Sequence, residues 1–143
     1  MNKSIALKKL KRYEESLKYL DKLIDINDNN SLFYNSKGNL MTFLGKYEEA
    51  IEQFKLATTK NKNNFQSFYN MGVCYFNLKK YKDSNLCFES ALKIKPTMKE
   101  ALVGKSLIEY ENKNYKNSLI VYNKILELYP NDDNILFKKN LIA

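Results

Sequence analysis

Apolar residues return every three or four positions along almost the whole chain, as in Leu17, Leu20, Leu23 and Ile24. That spacing lines one face of an α-helix. The helical stretches are short, and brief segments containing lysine or asparagine interrupt them. Helices are expected to end near Leu44, Leu78 and Asn112 and to resume around Tyr47, Tyr81 and Tyr115, with Gly45 relieving one of these turns. Only two prolines and four glycines occur in 143 residues, which suits an all-helical chain, and the pattern predicts nine helices.

The interruptions themselves are periodic. Tyr13, Tyr47, Tyr81 and Tyr115 stand 34 residues apart. Leu10, Leu44 and Leu78 keep step with them, as do Ser16, Ala50, Ser84 and Ser118, then Leu20, Phe54, Phe88 and Tyr122, then Leu23, Ala57, Ala91 and Ile125. On each preceding helix a compact residue recurs (Ser4, Gly38, Gly72, Ser106, Asn140), with a bulky one a turn upstream at Tyr34, Phe68, Leu102 and Leu136. The pattern implies one helical hairpin copied in series, small positions packing against large ones.

This register resembles the tetratricopeptide repeat, whose 34-residue unit carries a large residue, Gly, Tyr, Ala, an aromatic, Ala and a closing Pro in that order. The clearest copy is residues 31–64, followed by 65–98 and 99–132, while 1–30 and 133–143 match the end and the beginning of further copies. The resemblance implies a single domain built as a right-handed superhelical solenoid of antiparallel helix hairpins, each stabilised by stacking on its neighbours. Departures are Asp28 and Lys62 at the closing-proline site that Pro96 and Pro130 occupy, and Glu109 where Tyr75 or Met41 stands in other copies.

Catalysis finds little support. No histidine is present, so the commonest general base is missing and no His/Cys cluster can hold zinc. No catalytic, metal or cofactor site is assigned. Gly38 and Gly72 follow the repeat period and so point to close packing, not to a phosphate loop. Glu14/Glu15 and Glu48/Glu49 are read as first-turn acids that complement the helix dipole. Cys74 and Cys87, the only cysteines, fit small apolar positions in the two helices of one hairpin. They are read as packed, reduced thiols, with a structural disulfide as the alternative, and reduced thiols suggest a cytoplasmic location. No secretory leader and no membrane-length apolar run is recognised.

Binding follows from the resemblance. In this family the first helices of successive hairpins line a concave groove that holds peptides or partner proteins. The matching offsets are Leu32, Asn35, Asn39 and Thr42; Gln66, Tyr69, Asn70, Val73, Phe76 and Asn77; and Glu100, Val103, Leu107, Tyr110 and Glu111. Asparagine amides both donate to and accept from a peptide backbone, and Tyr69, Phe76 and Tyr110 offer flat apolar contact. The asparagines also match the family's general pattern in a chain rich in Asn, so a structural role stands beside the binding one. The subgroup that clamps acidic chaperone tails is a poor match. Asn39 and Asn70 agree with it, but Asn35, Glu100 and Gly104 stand where it needs cations, and shifting the frame by one repeat puts Ile5 or Val73 in place of a required Asn.

Net charge is +8, which keeps an acidic partner such as nucleic acid as the second reading. Arg12, Lys46, Lys79, Lys80 and Lys113 are placed in turns along one edge, and Lys60, Lys62, Lys93 and Lys95 near the opposite edge. The groove carries almost none of this charge, and lysines on solvated turns ordinarily serve solubility. The final stretch, Asp132 to Ala143, opens on the capping candidates Asp132 and Asp133. It then spreads Ile135, Leu136, Phe137, Leu141 and Ile142 around more than one side of a helix. Solenoids usually finish on a polar face, so the chain is expected to be a segment of a longer repeat protein or to mate with another molecule through that helix, self-association end to end being one form of this and a frayed terminus the plain alternative.

Overall fold

A computed structural model describes residues 3–142, and side-chain surroundings from Lys9 to Leu141. The side chains of Ser4, Ile5 and Ile142, named above, lie outside that range. Eight helices run through the described residues: α1 Lys3–Ile26, α2 Ser31–Phe43, α3 Tyr47–Lys60, α4 Phe65–Asn77, α5 Tyr81–Ile94, α6 Lys99–Glu111, α7 Tyr115–Leu128 and α8 Asp133–Ile142. Each packs on its neighbours in sequence, and α2, α4 and α6 also touch in turn. The result is a linear stack of hairpins α2/α3, α4/α5 and α6/α7, with α1 before it and α8 after it.

The periodic tyrosines 47, 81 and 115 each begin a helix, as the 34-residue register predicts. The turn ahead of them is the same three times. A residue in the left-handed region, Gly45 (φ 78°), Lys79 (φ 60°) or Lys113 (φ 63°), reverses the chain. The amides of Gly45 and Lys46 then donate to Thr42 O and Met41 O, at 3.0 and 2.8 Å, with matching bonds at the other two turns. This is the Schellman closure of a helix C-terminus. Between hairpins, the side chains of Asn30, Asn64 and Asp132 accept from Leu32 N, Ser67 N and Ile135 N, at 3.0, 3.2 and 3.1 Å, and cap α2, α4 and α8. Of the two capping candidates for α8, Asp132 is the cap and Asp133 lies in the first turn.

One expected turn is missing, which corrects the count of nine helices to eight. α1 passes without a break through Lys11, the equivalent of Gly45, Lys79 and Lys113. Lys11 and Arg12 continue the helix at lower cost than a left-handed residue would incur. Tyr13 is therefore mid-helix and stacks on Phe43 at 4.8 Å between centroids. Arg12 and Glu14/Glu15 likewise lie within α1 and not at a turn or a helix start. Glu48 and Glu49 do occupy the first turn of α3.

Small does pack against large. Gly38 faces the ring of Phe54, while Gly72 and Gly104 face the ring of Phe88 from two helices. In the α6/α7 hairpin, where serine replaces the glycine, Ser106 Oγ lies 2.8 Å from Ser118 Oγ, and in the α4/α5 hairpin Ser84 Oγ donates to Gly72 O at 2.7 Å. Each of these buried hydroxyls thus has a partner, as the interior requires. The core runs along the stack as successive clusters centred on Phe54, Phe88 and Tyr122.

Candidate functional site

Contacts from α2 to α4 and from α4 to α6 bring their inner faces side by side. Asn35, Asn39, Gln66, Tyr69 and Asn70, separated by up to a full repeat in sequence, converge on one open recess of about 410 Å³. Its floor is a polar ladder between α2 and α4. Asn35 Oδ1 accepts from Ser67 Oγ at 2.8 Å and from Asn70 Nδ2 at 3.2 Å, and Asn64 Nδ2 donates to Ser31 Oγ at 3.3 Å. Asn35 is buried, so its oxygen is engaged in joining two helices. Asn39 and Gln66, which no such bond engages, are the amides turned to the recess.

Phe65, Lys95, Met98 and Glu100 complete the lining. Lys95 Nζ lies 5.1 Å from the centroid of Phe65, within cation–π range. Glu100 was among the inward offsets. Phe65, Lys95 and Met98 were not legible as groove residues, because they sit in the linker after α5 and at helix starts, outside the first-helix offsets. Ser67, the donor to Asn35, was also missed; its only sequence signal is an isolated small polar residue next to the bulky Phe68.

A second recess, of about 220 Å³ and almost wholly apolar, follows directly, lined by Tyr69, Val73, Phe76, Phe88, Val103 and Leu107 with Glu100 and Gly104. Tyr69 and Glu100 belong to both. Burial first, and the Glu100 carboxylate second, push the Tyr69 hydroxyl above its ordinary range, which keeps it a neutral donor. Leu107 continues into a third recess of about 170 Å³ with Tyr110, Tyr122, Lys138 and Leu141. The three form one trough, polar at α2/α4 and apolar toward α6/α8.

Thr42 and Asn77 contribute differently from the rest. Thr42 Oγ1 donates to Gly38 O at 2.9 Å and lies 3.2 Å from Cys74 Sγ, and Asn77 Nδ2 donates to Val73 O at 2.9 Å. Asn77 is thus turned to its own helix, and Thr42 to its own helix and to α4. Phe76 packs tilted against the periodic tyrosine that follows, Tyr81, and Tyr110 packs edge-on against Tyr115, with ring centroids 5.3 and 5.2 Å apart. Cys74 and Cys87 are free thiols. Among the described residues no cluster of three or more His, Cys, Asp or Glu is placed to hold a metal, and no helix is long and apolar enough to cross a membrane.

Family models of the tetratricopeptide repeat match residues 1–30 and 99–132, 19–52 and 65–98, and a further TPR repeat model matches 38–79. Together they reach from residue 1 to 132. No curated protein matches the chain in sequence. Among solved structures, a crystal structure of MamA superposes with a TM-score of 0.83 at 14% identity, over 99% of this chain and 83% of that one. The first TPR of Spaghetti (RPAP3), bound to the HSP90 peptide SRMEEVD, gives 0.73 at 23% identity over 79% and 92%. The Arabidopsis OM64 TPR domain gives 0.72 at 17% identity over 79% and 93%. With the repeat models tiling the sequence and the hairpin stack recurring in these structures, the chain belongs to the tetratricopeptide repeat family.

Proposed function

We propose that this chain is a non-catalytic, cytoplasmic interaction module, a single domain of stacked repeats that takes an extended segment of a partner protein in the trough across α2, α4, α6 and α8. The observation that carries this reading is the continuity of the three recesses through Tyr69 and Leu107. A peptide in extended form alternates its side chains. The amides of Asn39 and Gln66 suit its backbone, and the apolar recesses suit side chains that follow. Free, unionised thiols at Cys74 and Cys87 accord with a reducing compartment.

An acidic tail such as the one bound by the RPAP3 domain is not the ligand proposed here. Glu100 presents a carboxylate at the junction of the first two recesses, where a like charge is repelled. Asn35 stands where the clamp needs a cation, and its oxygen is engaged with Ser67 and Asn70.

Affinity capture from a lysate of the source cell, comparing the chain with an Asn39→Ala/Gln66→Ala/Tyr69→Ala variant of unchanged helicity, tests the reading. A protein held by the first and released by the second supports the trough. Equal retention by both sinks it, and retention of nucleic acid that falls steeply with salt would shift the function to the lysines of the turns.

A further inference from the structure

We propose that the segment held in the trough carries a lysine or arginine that pairs with Glu100 and, two residues away, a large apolar side chain that enters the neighbouring recess. The inference rests on the trough being the binding site and names the chemistry that it selects.

Among the described residues, Glu100 is the one carboxylate lining the polar recess and the one charged group lining the apolar recess. None of the ion pairs among those residues includes it. The lysines of its own helix are engaged elsewhere, Lys99 with Asp132 and Lys105 with Glu89 at 3.4 Å. Lys95, the cation in the polar lining, lies over the Phe65 ring at 5.1 Å. Burial first and Glu100 second hold the Tyr69 hydroxyl above its ordinary range, which places the field of the carboxylate on the trough floor. Glu100 also stands in the first turn of α6, where a negative charge complements the helix dipole. That role is indifferent to what the trough holds, and this separates the two by experiment.

Spacing turns the carboxylate into a pattern. Side chains of an extended segment alternate, so every second one faces the floor, about 6.6 Å from the last. The two recesses adjoin at Tyr69 and Glu100, so a residue over the first sets the next but one over the second. There Val73, Phe76, Phe88, Val103 and Leu107 enclose about 220 Å³, and an apolar side chain gains by leaving water. The methylene stem of a lysine or arginine can lie along Tyr69 while its charged head meets Glu100. The net charge of +8 opposes a cationic segment at long range, but salt screens that repulsion beyond about 10 Å at 0.1 M, whereas the pair with Glu100 acts at contact.

The test selects a random peptide library displayed on phage against the chain and, in parallel, against the Asn39→Ala/Gln66→Ala/Tyr69→Ala variant. Peptides kept by the first and not by the second are expected to share a lysine or arginine two residues from a leucine, isoleucine, methionine or phenylalanine. One such peptide, and its copy with alanine for the basic residue, are then titrated by fluorescence anisotropy against the chain and a Glu100→Gln variant of unchanged helicity. Glu100→Gln should weaken the basic peptide about twofold to fivefold, the size of an exposed ion pair, and leave the alanine copy unchanged, a coupling that the dipole role does not produce. Trough-dependent peptides that lack the basic residue, or a Glu100→Gln effect that is absent or equal for both copies, overturn the inference and leave the trough reading standing. Peptides held equally by the triple variant, or no retained peptide at all, overturn both.

Discussion

Phe88 is held by glycines on both sides, with Gly72 on α4 and Gly104 on α6 each within a Cβ's reach of its ring. Alanine in mid-helix gains about 1 kcal/mol over glycine, while overpacking a rigid core costs about 1–3 kcal/mol. The ring cannot yield toward Gly104, so overpacking wins, and Gly72→Ala should lower stability by about 1 kcal/mol net of the helix gain. The measurement is the urea midpoint at constant slope; a neutral or stabilised variant would contradict the clamp, and Phe88→Leu in the same chain should restore part of the loss. Gly45 is different, since its φ of 78° and open surroundings make its requirement purely one of backbone. Cys87 adds a pH dependence. Burial first, then Asp83, raise its thiol to about 11 from an ordinary 9.0, with Lys55 opposing. The folded state therefore holds a proton that the unfolded state releases, so the contribution is intact below pH 9 and is lost as pH rises through 11. Cys87→Ser should flatten the fall in stability between those pH values, and an unchanged slope would refute the assignment. Periodicity made these small and large residues legible, because a fixed offset repeats the same contact. It could not distinguish Asn35 from Asn39. Both are inward amides in the sequence, and only the position of Ser67 and Asn70 opposite reveals that one ties helices together while the other is available.

Elements were readable where a local signal and a packing partner coincided. The starts of α3, α5 and α7 fall at their tyrosines because each hairpin turn closes onto a helix already there. Tyr13 carries the same signal, but α1 continues through it as one helix from Lys3 to Ile26. The turn conformation is likewise only partly written in the residues. Gly45 announces a left-handed position, yet Lys79 and Lys113 adopt it with φ of 60° and 63°. A non-glycine residue there costs about 1–2 kcal/mol, offset in part by the entropy that glycine loses on folding. Lys79→Gly and Lys113→Gly should each stabilise by about 0.5–1 kcal/mol, read as a rise in thermal midpoint. A fall in both would mean that the lysine side chains make contacts at those turns that outweigh backbone strain.

Among the described residues, helices touch their sequence neighbours, and α4 also touches α2 and α6, with no contact further along the stack, so order must be supplied locally and passed along the stack. α4 and α5 have structured hairpins on both sides, with the Phe54 and Phe88 clusters meeting across them. α1 and α8 each have one packed side and one open one. Amide hydrogen exchange should accordingly be slowest in α3 to α5 and fastest in α1 and α8, the free energy of opening rising inward from both ends. The same coupling fixes how far a lesion travels. Asp132→Ala removes the cap of α8 and should speed exchange in that helix by the equivalent of about 1 kcal/mol while leaving α4 unchanged. Gly72→Ala strikes the clamp joining α4, α5 and α6 and should lower protection along the entire stack. If Asp132→Ala weakened α4 as much as α8, the chain would be behaving as one all-or-none unit, and the ends of the stack would not be independently mobile.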